Sequence, residues 1–344
     1  MQGKYGPGER LPTHSELAIQ FNVNRCTVAA GLHQLTEENL LDCAPKRGSV
    51  VKGQASLQTN AVPLVAPVKG EIYSTLIAKL KELLLEQELY PVLMNEELIN
   101  KSHEVSRFLH QMTKKSYPYG NLVLGDCFPY EEMNKPPLCF LTTVFLLRYH
   151  YYEEFPQAKY ALIDYEAMGR MVVEYFAERN VKRILFPASP EIEYKGAWAS
   201  LQVTLLNHIE KNAKAQGIGV DTSFFWRTHS GAPLDIVLPM AIQSSPDSFG
   251  IVSWSDSFFQ MHVYPVLLQF SSDPVQEYAI LGNFNTRHSA DLCFDTFDHR
   301  VEEIAEIGVN MLTGKVSDRK ILLPPRLIIR KKPGTVKHKQ ERCQ

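Results

Sequence analysis

Leu11-Pro-Thr-His-Ser-Glu-Leu-Ala-Ile-Gln-Phe-Asn-Val-Asn-Arg-Cys-Thr-Val28 reads as two short helices joined by a tight turn. Thr13 caps the first helix, and Glu16, three residues on, completes a capping box in which two orphan backbone N–H groups are satisfied reciprocally. Leu17, Ala18 and Phe21 fall on one face of that helix. Asn22 suits the left-handed residue that ends it, because Asn tolerates positive φ better than most residues. Val23 is expected to enter the core and Asn24 to cap the second helix. There Val28, Leu32 and Leu35 recur at i, i+4 and i+7 as a buried stripe. Arg25, Cys26, Thr27 and Ala29 occupy the exposed N-terminal end. A helix offered by its N-terminus, carrying Arg and Thr, suits the major groove of duplex DNA.

Two short apolar runs follow, Leu40-Leu41-Asp42-Cys43 and Ser49-Val50-Val51, separated by Ala44-Pro45-Lys46-Arg47-Gly48. The predicted result is a hairpin whose basic tip reaches phosphate or a minor groove. Helix, turn, helix and basic wing within about 40 residues form a combination with some specificity.

Gly6-Pro7-Gly8-Glu9-Arg10-Leu11-Pro12, Glu16-Leu17-Ala18, Val23-Asn24-Arg25-Cys26-Thr27-Val28, Leu35 and Arg47-Gly48-Ser49-Val50-Val51 resemble the winged-helix reader of the GntR family of bacterial transcription regulators. The resemblance implies a DNA-contacting set of Thr13, Ser15, Asn24, Arg25, Cys26, Thr27, Lys46, Arg47 and Gly48. Ser15 and Ala29 stand where the family usually carries arginines. Each such arginine is worth about 1–3 kcal/mol of base discrimination, so the operator is expected to differ from the family's usual one. The family's reader also opens with a helix packed beneath these two. Met1-Gln2-Gly3-Lys4 comes too late to hold it, so the expectation is a true start upstream of Met1, with the Leu17/Phe21/Val28/Leu32 face otherwise left uncovered.

The chain has 344 residues, 44% hydrophobic and 22% charged, which suggests ordinary globular material in two or three units. With a net charge of −2, any grip on DNA must come from local cations, here Arg25, Lys46, Arg47 and Lys52. The six cysteines (Cys26, Cys43, Cys127, Cys139, Cys293 and Cys343) show neither the C-x-x-C spacing of a zinc site nor a disulfide framework, so reduced thiols and no metal are expected. No signal peptide and no membrane-length apolar run are present, which points to the cytoplasm and away from membranes. The phosphate loops G-x-G-x-x-G and G-x-x-x-x-G-K-[ST], the H-E-x-x-H zinc motif and the G-x-S-x-G elbow are all missing from the sequence. His103, His110, His208, His262 and His288 have no ligand spacing. Neither an enzyme nor a cofactor is expected.

Residues 53–61 are small and polar and read as a linker between a reader at 1–52 and a larger domain at 62–331, with a basic tail at 332–344. In the larger domain, strands are predicted at 62–67, 90–95, 120–125, 137–142, 160–163, 183–187, 222–227, 249–253, 279–282 and 321–323. Helices are predicted at 72–87, 104–114, 167–179, 199–215, 234–244, 258–268 and 299–312. This alternation is the pattern of an α/β fold, with parallel sheets covered on both faces. There is enough strand for two lobes, with a ligand cleft at the carboxyl ends of the strands.

Ala161-Leu162-Ile163-Asp164-Tyr165-Glu166-Ala167-Met168-Gly169-Arg170 with Val181–Phe186, Pro246–Asp256, Ala279–Asn285 and Leu322–Arg330 is similar to LacI-type effector domains, which have a periplasmic-binding-protein-like fold. The similarity spans about 62–331 and is strongest in the second lobe. It implies an effector, commonly a sugar, gripped by carboxylates, a cation and aromatic faces, as hydroxyl-rich ligands require. The implied contacts are Asp164, Lys195, Trp254, Asp256, Phe284 and Asn285. Asp164 and Asp256 each also stand just before a helix, where an N-cap aspartate is the competing reading. Lys195 replaces the family's arginine near Trp198 without its bidentate fork, and Phe284 or Asn285 replaces the aspartate of a Gly-aromatic-Asp turn.

The resulting expectation is a DNA-binding regulator, a repressor, acting as a homodimer on a double-stranded operator under control of a small-molecule effector. The competing expectation is a cytoplasmic small-molecule-binding protein of periplasmic-binding-protein fold with degenerate DNA binding.

Overall fold

The computed structural model of the chain describes residues 5, 8–37, 40–44, 48–51, 60–67, 71–95, 107–109, 112, 120–125, 142–147, 158–188, 197–244 and 248–330. The helices α1 (His14–Phe21) and α2 (Arg25–Glu37) are followed by an antiparallel hairpin of β1 (Leu41–Ala44) and β2 (Gly48–Val51). Leu17, Ala18, Val28, Leu32 and Leu41 form the small core that joins them. Phe21, Val23 and Leu35, read as buried, are exposed. With Val28 and Leu32 they line an apolar groove, because no described element packs on that side of α1 and α2.

Two six-stranded sheets make up the remainder. The first runs β13-β7-β6-β5-β3-β4, all parallel, from β3 (Ala61–Ala66), β4 (Tyr90–Asn95), β5 (Asn121–Leu124), β6 (Thr143–Leu146), β7 (Ala158–Ile163) and β13 (Lys320–Leu323). The second runs β14-β12-β11-β10-β8-β9, from β8 (Arg183–Leu185), β9 (Gly219–Val220), β10 (Phe249–Val252), β11 (Ala279–Asn283), β12 (Asp295–Asp298) and β14 (Arg326–Ile328). Only β14 in it runs antiparallel, against β12. Central strands such as β5 and β6 are buried at every position, as strands covered on both faces must be.

The covering helices are α3 (Glu71–Leu85), α4 (Tyr165–Ala177), α5 (Ala197–Ala215), α6 (Thr222–His229), α7 (Leu234–Gln243), α8 (Asp256–Phe258), α9 (Tyr264–Leu267), α10 (Pro274–Glu277), α11 (Arg287–Asp291) and α12 (Val301–Leu312). A turn of π-helix, Phe259–Val263, joins α8 to α9. The chain passes between the two sheets after β7, after β12 and after β13, so the lobes share three crossovers. Among the described residues no helix is long and apolar enough to cross a membrane.

Several readings change. The segment 222–227 is the helix α6, not a strand. Asp221 caps it by accepting from Phe224 N (2.9 Å), and Phe224, Phe225 and Thr228 are buried at helical spacing. The fourth strand of the first sheet is 143–146, while residues 137–141 lie outside the described residues, as does most of 104–114. Ala61, placed at the end of the linker, already pairs in β3. The closing segment is two strands, β13 and β14, broken by Pro324-Pro325 so that each joins a different sheet. Proline supplies no N–H for a ladder, which is why the pair marks the break.

Candidate functional site

The N-terminal helix pair is built from its caps. Thr13 Oγ1 accepts from Glu16 N (3.3 Å) and donates to Glu16 Oε2 (2.9 Å), while Thr13 N donates to the same carboxylate oxygen (2.7 Å). The backbone bond, then the hydroxyl bond, hold the Glu16 carboxyl below its ordinary range. Thr13 is thereby committed to the capping box. Asn22 ends α1 in the left-handed conformation (φ 53°). Asn24 Oδ1 then accepts from Thr27 N (2.7 Å) and from Thr27 Oγ1 (2.9 Å). Arg25, Cys26 and Thr27 are exposed on the first turn of α2, with Ser15 half-buried on α1. Lys46 and Arg47 lie outside the described residues.

The segment before α1 also pairs with β2, a contact the sequence pattern did not announce. Gly8 N donates to Val51 O (2.9 Å), Val51 N to Glu9 O (2.8 Å) and Leu11 N to Ser49 O (2.8 Å), with Arg10 bridging Val50. This pairing lays the Arg10 side chain across Gly48, whose φ is +74°. Cys43 Sγ lies 3.1 Å from Ser49 Oγ and 3.2 Å from Thr36 Oγ1, tying the wing to α2. Arg10 is thereby a cation held on β2 of the hairpin. A basic residue in a segment able to extend the hairpin was the available signal.

The cleft lies where β11 and β12 of the second lobe end against the N-terminal part of α3 from the first. A cavity of about 300 Å³ there is bounded by Ile72 and Thr75 of α3, by Phe284, Asn285 and Thr286 after β11, and by Asp298–Glu303 and Arg326. Phe284 (φ 91°) and Asn285 (φ 52°) are consecutive residues with positive φ. Such backbone is costly for residues with a Cβ and persists only where the surroundings over-determine it.

Asp256 supplies that determination. Its Oδ1 accepts from Asn283 N (2.6 Å) and Thr296 Oγ1 (2.8 Å), and its Oδ2 from Thr286 N (2.8 Å), so it brackets the strained turn. Asp256 is 0% exposed, and burial pushes its carboxyl above the ordinary range against the pull of these donors. It is a brace inside the lobe and is not among the residues bounding this cavity. Asp164 likewise serves as an N-cap, accepting from Ala167 N (2.9 Å), away from the cavity wall. Trp254 is buried behind Phe284, edge-on at 6.1 Å between ring centroids. Of the six expected contacts only Phe284 and Asn285 line the cavity, and Lys195 lies outside the described residues.

The missed residues come from Asp298-His299-Arg300. Arg300 takes a left-handed conformation (φ 53°), with its N donating to Asp298 Oδ1 (2.8 Å). Its guanidinium grips Glu303 through Nε (2.9 Å) and Nη2, and reaches Pro324 O (3.2 Å) at another crossover. Glu303 also receives Arg326 (3.4 Å). His299 is buried, with Nε2 2.6 Å from Asn283 Oδ1 and its ring edge-on to Phe284 at 4.7 Å. Among the described residues no group of three or more His, Cys, Asp and Glu could hold a metal ion. The visible signal was a charged triplet closing an alternating strand, Asp295-Thr296-Phe297-Asp298, ahead of an amphipathic helix.

Residues 1–51 match the family profile of the bacterial regulatory proteins, gntR family. Over 51 residues the chain is 41% identical to the mannosyl-D-glycerate transport/metabolism system repressor MngR of Escherichia coli (strain K12). That stretch is 15% of this chain and 21% of MngR, so the chain spans about a fifth of the curated relative it matches. Among solved structures, the transcriptional regulator CelR in complex with cellobiose superposes with a TM-score of 0.60 at 18% identity, covering 93% of this chain and 99% of that one. The Lac repressor bound to ONPG gives 0.59 at 13%, covering 89% of each chain. A LacI transcriptional regulator from a Rhodococcus species gives 0.58 at 13%, covering 81% and 100%. At these identities the likeness speaks for fold alone. The chain therefore carries, over residues 1–51, a match to the gntR family of bacterial regulatory proteins, followed by a two-lobed domain with the fold of LacI-type regulators.

Proposed function

We propose that the chain is a sequence-specific DNA-binding transcriptional regulator, a repressor, whose hold on its operator is set by a small molecule in the cleft. The observation that carries this reading is the exposed Arg25-Cys26-Thr27 turn at the capped N-terminus of α2, followed in the chain by a hairpin whose connecting sequence holds Lys46 and Arg47. An N-terminal helical turn bearing Arg and Thr fits base edges, and the wing fits phosphate. MngR, matched over this region, is named as a repressor, and CelR is described in complex with cellobiose. A sugar or related metabolite is therefore the first class of effector to test. Phe284 and Ile72 offer apolar surface, and Asn285, Thr286 and Thr75 offer polar groups around one cavity, the mixture such ligands need.

The proposed protein works as a cytoplasmic homodimer, with no catalytic role. Two copies present two recognition helices to a two-fold-related site. Ligand binding changes the relation of the lobes across the three crossovers and so the spacing of the two readers, with a coupling of about 1–3 kcal/mol. The test is a gel-shift titration of the full-length protein on fragments from its own gene neighbourhood, at low salt, with and without sugars. A preferred fragment whose binding weakens in Arg25→Ala and Lys46→Ala is expected. Equal binding to all duplexes by wild type and both variants overturns the proposal.

A further inference from the structure

Asp298-His299-Arg300 and Pro324-Pro325 are two of the three places where the chain crosses between the lobes. α12, which follows the first of them, packs on α3 and β6 and so belongs to the first lobe. β14, which follows the second, pairs with β12 and belongs to the second lobe. Glu303, on the first turn of α12, forms an ion pair with Arg326, the first residue of β14, at 3.4 Å. That pair spans the two lobes. Arg300 orients its carboxylate, donating to Oε1 from Nε (2.9 Å) and to Oε2 from Nη2, a fork that matches both oxygens. The other end of the same guanidinium, Nη1, donates to Pro324 O (3.2 Å).

Exposure decides what such a contact can do. The Arg326 side chain is 60% exposed and that of Glu303 40%, so water and salt screen the pair and it adds little to the stability of either lobe. The balance between two arrangements of the lobes is a different matter. A hinge rotation leaves the packing inside each lobe in place, so the arrangements differ by a small free energy in which one exposed pair has weight. Bending at the crossovers moves β14 relative to α12 and draws Glu303 away from Arg326. Asp164, at the remaining crossover, donates its N–H to Leu323 O (3.0 Å). With the Arg300 bond to Pro324, this ties all three crossovers to one another, and they bend together.

We propose that Glu303 and Arg326, with Arg300 as the positioning residue, form an ionic clasp across the hinge that holds the lobes in the arrangement seen and releases as they rotate apart. Salt weakens the clasp, because both partners face water. Its effect on the spacing of two DNA readers rests on the proposed function, whereas the clasp itself does not.

The test is amide hydrogen exchange on the full-length protein, read by NMR at Asp164. That N–H is paired across the hinge, so its exchange rate reports the population in which the crossovers have opened. The amides of Leu122 and Val144, in the buried strands β5 and β6, report global opening. Exchange at Asp164 is expected to rise about two- to fivefold in Arg326→Gln and in Glu303→Gln, the weight of an exposed ion pair, with Leu122 and Val144 unchanged. Arg326→Lys should keep most of the protection. The double variant should exceed Glu303→Gln by nothing, since both changes remove one contact. Raising salt from about 0.1 M to about 1 M should speed exchange in wild type and not in Arg326→Gln. Unchanged exchange at Asp164 in Arg326→Gln overturns the clasp, as does a rise that Leu122 and Val144 share. If Glu303→Gln fails to fold, Arg326→Gln and the salt series still decide. Gel-shift titrations of the same variants keep the two readings apart. Faster exchange with unchanged operator binding defeats the link to the readers and leaves the clasp, and altered operator binding with unchanged exchange does the reverse.

Discussion

Arg10 lies across Gly48 so closely that a Cβ built on the glycine would stand 2.9 Å from the arginine Nε. The contact joins the segment before α1 to β2, at the glycine that follows Lys46 and Arg47 in sequence. Arg10→Ala is expected to weaken binding to every duplex nearly alike and to lower the salt slope of binding by about one. Fluorescence anisotropy of labelled DNA across a salt series measures both. Gly48→Ala adds strain at φ +74° and displaces Arg10, so it should weaken DNA binding at least as much.

Asn24 and Arg25 are neighbours with separable roles. Asn24→Ala removes the acceptor for Thr27 N and should cost the reader about 1 kcal/mol, seen as earlier chemical unfolding of the N-terminal part. Arg25→Ala should leave unfolding unchanged while reducing preference for the operator by about 1–3 kcal/mol. Competition titrations with random-sequence DNA separate that loss from a general loss of affinity.

Asp256 is predicted to be a stability residue of the second lobe. Asp256→Ala strands the backbone donors of Asn283 and Thr286 and the hydroxyl of Thr296, at a cost of about 3 kcal/mol. Gly282→Ala tests the same brace from the other side. Its Cβ would come within 2.2 Å of Asp256 Oδ1 and 2.4 Å of the Phe294 ring, where overpacking costs about 1–3 kcal/mol. Urea unfolding followed by tryptophan fluorescence should show both losses, with the reader's DNA affinity kept at low denaturant.

His299 predicts an acid sensitivity. Its folded pKa, lowered by burial to about 3, lies below the 6.5 of an ordinary histidine, so below that value the unfolded chain binds a proton that the folded chain refuses. Stability contributed by the neutral ring is complete above pH 6.5 and falls as pH drops through the window toward about 3, by about 1.4 kcal/mol per unit. Thermal unfolding at pH 7, 6, 5 and 4 should therefore show a steeper decline for wild type than for His299→Phe, which has nothing to protonate there.

How much was legible from residues alone differs between the two ends of the chain. The capping box, the left-handed Asn22 and the Asn24 cap were all readable, because each depends on groups within four residues of one another. The alternation of strands and helices was readable too, since burial on both faces writes itself as continuous apolar runs. The helix at Thr222–His229 was read as a strand because its β-branched and aromatic residues favour strands locally, and packing of Phe224 and Phe225 overrode that preference.

Local order, then, was determined by the sequence unaided: a capped helix pair and hairpin, followed by repeated strand–helix units, because those patterns arise from neighbours in the chain. Tertiary structure alone decided which polar groups meet. Asp256 turned inward to Asn283 and Thr296, 27 and 40 residues away, His299 was left with an unpaired buried nitrogen, and Arg10 crossed to Gly48. A carboxylate, an imidazole or a guanidinium takes its role from the partners that folding brings within about 3 Å, and residue spacing carries no record of them.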